Sequence, residues 1–211
     1  MIKMDKSKEI GKLFGEDVSS KSNCDLCKES KYDVGQKTGY GAVIYRIGTL
    51  KNGWFVALSP KTGGNPKLDF TIQLMPLSHL THFSQIESYP ELAKNYGIAF
   101  SKVCRIMTTV LMQDEDLKAN SEKRSSSASI AIYGKCTTWK EKKEHLHLKI
   151  FQFRGNIGQP FTVDSSFGKK EVFKETGTGE EFVKMNPVKK AMIGEERFSQ
   201  LTRDLIALLR K

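Results

Sequence analysis

The sequence predicts an α+β fold, in which an antiparallel sheet of about five strands has a main helix packed on one face and a second helix at the carboxy terminus. Three features predict it. Short apolar segments alternate like half-buried strands and are separated by Gly, Pro and Asn turns. A long segment, 88–110, has apolar residues at helical spacing, and the last one, 195–211, has a single apolar stripe. This order of elements favours a helical layer on a sheet.

The first two predicted strands are Gly41–Ile47 and Trp54–Leu58. Between them lies Asn52-Gly53, the strongest short hairpin signal in the chain, because both residues tolerate the positive φ angles of a tight turn. A third strand is predicted over 68–74, where apolar and polar residues alternate. Together these three segments predict an antiparallel meander.

The main helix is predicted to begin at a capping-box pattern, with Ser88 as the cap and Glu91 three residues later. Apolar residues then recur at helical spacing over 92–110, about five turns. The following segment, 113–127, is charged and rich in serine, which is typical of a surface loop. The helix is therefore expected to end before residue 113.

Two last strands are predicted over 129–133 and 144–153. Because side chains two residues apart share one face of a strand, His145, His147 and Lys149 should lie together on the face opposite the core. Beyond residue 154, apolar residues become isolated among Gly, Ser, Thr and Lys, so 155–179 is expected to be irregular.

Three regions follow from this pattern. Residues 1–22 are a polar lead-in, 23–154 form the main domain, and 155–211 are an irregular basic loop and a carboxy-terminal helix packed on that same domain. The apolar stripe of this helix is more typical of an internal core contact than of a partner site.

Composition restricts the class of partner. The chain has 34 Lys and Arg against 24 Asp and Glu, a formal charge of +10, which favours anionic ligands such as nucleotides, polyphosphates or nucleic acid and is equally typical of a solvated surface. No membrane span or secretion signal is recognised, so a cytoplasmic protein without membrane contact is expected. Four cysteines in such a chain favour metal binding or buried thiols over disulfides.

His145 and His147 are two of only four histidines. A neutral imidazole can attack phosphorus near neutral pH when its other nitrogen donates a proton to a fixed acceptor such as a backbone carbonyl. An ammonium on the same face, Lys149, could balance the charge that develops on phosphate oxygens. The alternative is a strand whose polar outer face happens to carry these side chains.

Five features in order resemble the histidine triad superfamily of nucleotide hydrolases and transferases. They are the CxxC of Cys24 and Cys27, a hairpin, Pro76 followed by His79, a capped helix, and the run from His145 to Phe151. The resemblance covers roughly 20–154 and makes 23–154 a catalytic domain. The superfamily signature alternates three histidines with apolar residues, and this chain has Lys149 in the third histidine position.

That substitution makes the chain most similar to the branch with galactose-1-phosphate uridylyltransferase and dinucleoside polyphosphate phosphorylases, which also lacks the third histidine. The resemblance implies that His147 attacks the α-phosphorus of a nucleotide and forms a covalent nucleotidyl-histidine, with Lys149 as its charge partner. Substrate contacts are expected from a set preceding the signature: Gly134, Thr137, Thr138 and Lys142.

A metal site is predicted from the cysteine pair. Cys24 and Cys27 have the spacing of a zinc knuckle, and without a second CxxC the other two ligands must come from histidines. The resemblance selects His79 and His145, giving a structural zinc ion that ties the amino-terminal segment to the catalytic strand. His82, three residues after His79, remains an alternative ligand.

Two functions are therefore expected. The first is a nucleotidyl hydrolase or transferase that acts on a nucleoside phosphoanhydride or nucleotide sugar. The alternative is a zinc-stabilised basic module that binds nucleotide or, secondarily, nucleic acid, with little or no turnover. Members of the superfamily commonly dimerise, so a homodimer is a further expectation, with the carboxy-terminal helix as a candidate contributor.

Overall fold

A computed structural model describes most of the predicted main domain and the carboxy-terminal helix. The described residues are 20–62, 65–112, 129–135, 145–153, 170–174, 177–179, 181–185 and 191–211. Three of the predicted substrate contacts, Thr137, Thr138 and Lys142, lie outside them, as do most of the lead-in 1–22 and the loop 113–127.

The described strands build an antiparallel sheet of six, which confirms the predicted α+β class. The strands are β1 (Lys37–Thr38), β2 (Gly41–Ile47), β3 (Trp54–Leu58), β5 (Thr71–Pro76), β6 (Ser129–Lys135) and β7 (His147–Phe153), with β4 (Lys61–Thr62) outside this sheet. Their order across the sheet is β1-β2-β3-β5-β7-β6, and five of the six have five or more residues.

The hairpin predicted at Asn52-Gly53 joins β2 to β3. Its loop is longer than a two-residue turn, and it begins at Gly48 in the left-handed region, with φ of +76°. The Asn52 side chain closes the loop by accepting hydrogen bonds from the backbone N–H and the hydroxyl of Thr49, at 2.8 and 3.0 Å. The local turn chemistry therefore fixes the pairing of the two strands.

The third strand was predicted two to three residues too early. Strand β5 begins at Thr71 because the residues before it form a turn, in which the backbone N–H groups of Leu68 and Asp69 donate to the carbonyl of Asn65. The Asp69 carboxylate also accepts from the Asn65 N–H at 2.7 Å. Leu68, which the alternation places inside, is 43% exposed. A side-chain turn thus outweighs the apolar pattern.

The main helix also begins differently from the capping-box prediction. Ser88 ends a 3-10 helix (Phe83–Ser88), and the main helix α2 (Pro90–Met112) begins with proline, which suits a first helical position because the missing N–H has no partner there. The capping box in the structure belongs to the 3-10 helix and uses His82 and Gln85. A short helix α1 (Asp25–Glu29) precedes the sheet.

One face of the sheet packs against α2 and the carboxy-terminal helix α3 (Glu195–Arg210). The Trp54 indole N–H crosses this layer and donates to the Leu92 carbonyl at 2.9 Å. Buried residues of this main core come from β2, β3, β5, β7, α2 and α3, and they include Ile44, Val56, Leu74, Ile106, Leu148 and Leu205. The carboxy-terminal helix therefore packs on the same core as the sheet.

The chain between residue 154 and the carboxy-terminal helix contains further strands. Strands β8 (Lys170–Lys174) and β9 (Glu181–Met185) pair antiparallel, and β10 (Ala191–Met192) pairs with β4. The prediction of an irregular loop over 155–179 is thus wrong where β8 lies. Within the described ranges, the structure contains no helix with the length and apolar character needed to cross a membrane.

Candidate metal centre and the neighbouring histidine

The second face of the sheet carries a smaller apolar cluster. It consists of Val43, Phe55, Ala57, Met75 and Leu77, with Leu26 of α1 packed against it. The four of these residues that lie on strands alternate with residues of the main core, as side chains on opposite faces must, and Leu77 follows the end of β5. Helix α1 is therefore positioned on this face by apolar contact, and it brings the CxxC motif with it.

Cys24 is the N-cap residue of α1, and Cys27 lies within the helix. The turn is closed by the Lys28 N–H, which donates to the Cys24 carbonyl at 3.1 Å, and by the Ser30 hydroxyl, which donates to the Cys27 carbonyl at 2.8 Å. Both thiols are buried, Cys27 completely. One short helical turn thus holds two sulfur atoms facing the end of the sheet.

His79 follows the end of β5 and is buried. The chain is held at this point by the Leu77 N–H, which donates to the Gly53 carbonyl at 2.8 Å. His79, three residues after Pro76 as the sequence pattern indicates, therefore lies beyond the end of the strand, with its imidazole near α1. Its Nδ1 atom lies 3.4 Å from the Cys27 sulfur.

His145 lies two residues before β7 and is also buried. Its place is fixed on both sides: the Leu146 N–H donates to the Leu80 carbonyl at 2.6 Å, and the His145 Nε2–H donates to the Pro76 carbonyl at 2.9 Å. Since a carbonyl oxygen only accepts, the neutral ring carries its proton on Nε2, and Nδ1 has the lone pair.

The four side chains converge on one point. The Nδ1 atom of His145 lies 3.6 Å from the Cys24 sulfur and 3.4 Å from the Cys27 sulfur. One ligand atom from each of the four residues lies within 4.8 Å of all the others. The two imidazoles meet edge to face, with centroids 5.3 Å apart.

This geometry fits a tetrahedral ion. With metal–sulfur bonds of about 2.3 Å and metal–nitrogen bonds of about 2.0 Å, a sulfur and a nitrogen on one zinc ion stand roughly 3.5 Å apart. The three sulfur–nitrogen separations of 3.4 to 3.6 Å match that value. Four buried Cys and His side chains therefore lie close enough to bind a metal ion, and with all four bound no position would remain for water.

Burial sets the protonation of these groups. It lowers the pKa of His145 to about 4, an effect reinforced by His79 and His147 and opposed by the hydrogen bond to Pro76. Burial also raises the pKa of the Cys24 thiol. The imidazole is thus neutral and ready to coordinate, whereas the thiol loses its proton only when a cation compensates its charge.

His147, the first residue of β7, lies in a different environment from His145. It is partly buried, and its Nδ1–H donates to the backbone carbonyl of His145 at 3.0 Å. Because the carbonyl can only accept, the neutral ring has its lone pair on Nε2. His147 does not belong to the group of Cys24, Cys27, His79 and His145, which is called the metal group below. The two neighbouring histidines therefore differ in the nitrogen that carries the proton.

Lys149 is the next residue on the same face of β7 and is partly buried. In the sheet register it lies opposite Gln73 of β5 on one side and Tyr133 of β6 on the other. Gly134, a predicted substrate contact, pairs with Leu148. The sheet therefore brings Lys149 and His147 to one face, as the alternation predicts. The strand begins at His147 and not at residue 144 as predicted, so His145 lies outside it and does not share that face.

His82 is separated from the metal group. It caps the 3-10 helix, where its Nδ1 atom accepts from the Ser84 N–H at 3.1 Å. Sequence reasoning missed the Pro76 carbonyl, which orients His145, and Gln73, which lies beside Lys149. The position of Gln73 in an alternating strand could have indicated the second of these.

Comparison with protein-family models and with curated proteins finds no match to this chain.

Proposed function

We propose that the protein belongs to the histidine triad superfamily and is a nucleotidyl hydrolase or transferase that acts through a covalent nucleotidyl-histidine at His147. The observation that carries the proposal is the hydrogen bond from Nδ1–H of His147 to the His145 carbonyl. It leaves Nε2 with the lone pair that an attack on phosphorus requires. The antiparallel sheet and the four converging Cys and His side chains further support membership.

The reaction would proceed in two displacements. Nε2 of His147 forms a bond to the α-phosphorus while the bond from phosphorus to the leaving oxygen breaks. The leaving group departs as pyrophosphate from ATP, as a nucleotide from a diadenosine polyphosphate, or as a sugar phosphate from a nucleotide sugar. Water, or a second phosphate, then attacks the same phosphorus and releases the histidine. Each step is easier than a single direct displacement by water.

Lys149 supports this assignment through charge. It shares the face of His147, two residues along the strand, so its ammonium can balance negative charge on the phosphoryl oxygens as they pass through the transition state. Substitution by Met should reduce turnover more than stability, because the side chain is only partly buried.

The metal would have a structural role. Cys24, Cys27, His79 and His145 fit a closed zinc site, which supplies folding energy and no chemical step. In this proposal the site fixes His145, and the His145 carbonyl in turn fixes the ring of His147.

The test is adduct formation. The full chain is incubated with α-labelled ATP, UDP-glucose and diadenosine polyphosphate, and is quenched with alkaline denaturant because a phosphohistidine bond is labile to acid. We expect an adduct on the wild-type protein and on His82→Ala, and none on His147→Ala. Absence of an adduct with all three substrates, or an adduct that persists in His147→Ala, would contradict the proposal.

The charge of +10 favours a second candidate, a metal-stabilised module that binds nucleotide or nucleic acid without turnover. The basic residues that would contact phosphate are Lys123, Arg124, Lys135, Lys140, Lys142 and Lys143, and the last three lie between β6 and β7 in the sequence. Nucleic-acid binding that weakens steeply with salt, together with no adduct and no product, would support this candidate over the enzyme.

A further inference from the structure

Gln73 lies in the middle of β5, a central strand of the sheet, and is partly buried. The residues on either side of it along the chain, Ile72 and Leu74, belong to the main core. Its side chain therefore projects from the second face, the one that carries His147 and Lys149. Across the sheet it stands between Ala57 of β3 and Lys149 of β7.

This register brings three polar groups within reach of one ligand. Residues directly opposite each other in an antiparallel pair have Cβ atoms about 5 Å apart, and diagonal neighbours remain within reach of long side chains. Gln73 is opposite Lys149 and diagonal to His147. An amide, an ammonium and an imidazole therefore surround one area of the sheet surface.

The amide of Gln73 has no hydrogen-bond partner among the described residues. A glutamine amide offers two N–H donors and one carbonyl acceptor, and the amide atoms of Gln73 are not among the fully buried unpartnered atoms of the described residues, so a ligand can reach them. The amide N–H groups and the neighbouring lysine ammonium are both hydrogen-bond donors, and the ammonium also carries a positive charge. Such a pair suits the oxygen atoms of an anionic group.

We propose that Gln73 is a phosphate-binding residue of the His147 site. Its amide N–H groups donate to non-bridging oxygens of a phosphate group whose charge Lys149 balances, and the pair prefers a diphosphate to a neutral group. The inference rests on the proposed function for the identity of the reaction, whereas binding of the phosphate group can be measured without it.

Two substitutions separate binding from structure. Gln73→Ala removes the donors, whereas Gln73→Glu keeps the size of the side chain and places a carboxylate opposite Lys149. The carboxylate would pair with the ammonium across the strands, which helps the fold, and would repel phosphate. A merely structural glutamine would therefore tolerate Glu better than Ala, and a phosphate-binding one would tolerate Glu worse.

The experiment titrates inorganic pyrophosphate into the full metal-loaded chain by calorimetry, with the metal content measured afterwards. The variants are Gln73→Ala, Gln73→Glu and Gln73→Asn, with Gln200→Ala, an exposed glutamine of α3, as the matched control. We expect Kd to rise about tenfold in Gln73→Ala, as loss of one charge-assisted hydrogen bond predicts, and more in Gln73→Glu. Gln73→Asn should fall between wild type and Ala.

Pyrophosphate that does not bind the wild type, or that binds Gln73→Glu as tightly as the wild type, overturns the inference. The labelled-nucleotide assay reports separately on the reaction. If the wild type binds pyrophosphate with the expected order of variants and forms no nucleotidyl adduct, the proposed function fails and the assignment of Gln73 stands.

Discussion

The two faces of the sheet hold the protein together in different ways. The face under α2 and α3 buries a large apolar core with side chains such as Ile44, Leu74 and Leu148. The other face has a smaller apolar cluster, four converging Cys and His side chains that could hold a metal ion, and the partly buried His147 and Lys149.

The difference shows how stability and chemistry are separated in one layer. On the core face, burial of apolar area supplies the free energy, and it needs no particular polar geometry. On the second face, charged and polar groups must be held in place, and a metal ion with two thiolates can do so where little apolar area is available. Adjacent residues of one strand can thus have different roles, because their side chains lie on opposite faces of the sheet.

The largest expected loss of stability comes from removing a buried thiol of the second face. Cys27→Ser removes a ligand that is completely buried, so the bound metal should be lost. The free energy of unfolding should fall by about 4 kcal/mol, the stabilisation given by a ligand at a thousand times its Kd. Metal analysis and urea unfolding check this. Cys104→Ser, in α2 and outside the metal group, is the control, and retained metal in Cys27→Ser would refute the site.

A cavity in the core face should leave the second face intact. Leu74→Ala removes a fully buried side chain and should cost about 3 kcal/mol of unfolding free energy. Its neighbour on the strand is the matched control, since Gln73→Ala should cost less than about 0.5 kcal/mol. Metal stoichiometry should remain that of the wild type in both. If Leu74→Ala released the metal, the two faces would not be independent.

Acid should destabilise the metal-free protein through His145. The pKa of this histidine is about 4 in the folded protein and about 6.5 in an unfolded chain. Above pH 6.5 neither state binds the proton, and as pH falls from 6.5 to 4 only the unfolded state does, so stability decreases with acid. The full loss is about 3 kcal/mol.

The measurement is urea unfolding of the chelated protein between pH 7 and pH 4, for wild type and His145→Gln. Carboxylates titrate in both proteins, so the difference between the two curves isolates the histidine. Parallel curves over this range would show that His145 is not buried as a neutral ring.

The smallest expected loss of stability comes from a variant that tests His82 against His79 as the metal ligand. His82→Ala removes the side chain that caps the 3-10 helix and should cost about 1 kcal/mol, the usual value of a helix cap. Metal content should not change, since His82 lies outside the metal group. Thermal unfolding and metal analysis check both. Loss of metal in this variant, with retention in His79→Ala, would reassign the ligand.

Much of the sheet could be predicted because its signals are local. Asn52-Gly53 indicates a turn whatever lies elsewhere, and the alternation around His147 places that residue opposite the core. Strands β8, β9 and β10 were missed. Strands β8 and β9 pair with each other but are short and contain Lys and Glu beside few apolar residues, whereas β10 pairs with Thr62 and Lys61, far along the chain. Pairing of that kind leaves little trace in a short window of sequence.

The metal group could be predicted from residue types, since two thiols and few histidines leave little choice. The choice between His79 and His82 was settled by tertiary structure: the Leu77 N–H bond to Gly53 turns the chain after β5. The role of the Pro76 carbonyl in orienting His145 could not be read, because any backbone carbonyl can accept. The contacts of Thr137, Thr138 and Lys142 stay predictions.

The distance along the chain between Cys24 and His145 has a consequence for biogenesis. The two residues are separated by 121 positions, so the ligand set is assembled only after that whole loop has closed. Loop closure of this length is entropically costly, and pairings so remote in sequence form slowly. We therefore expect metal uptake to be a late event of refolding. The metal would stabilise a sheet that has already formed and would not nucleate its formation.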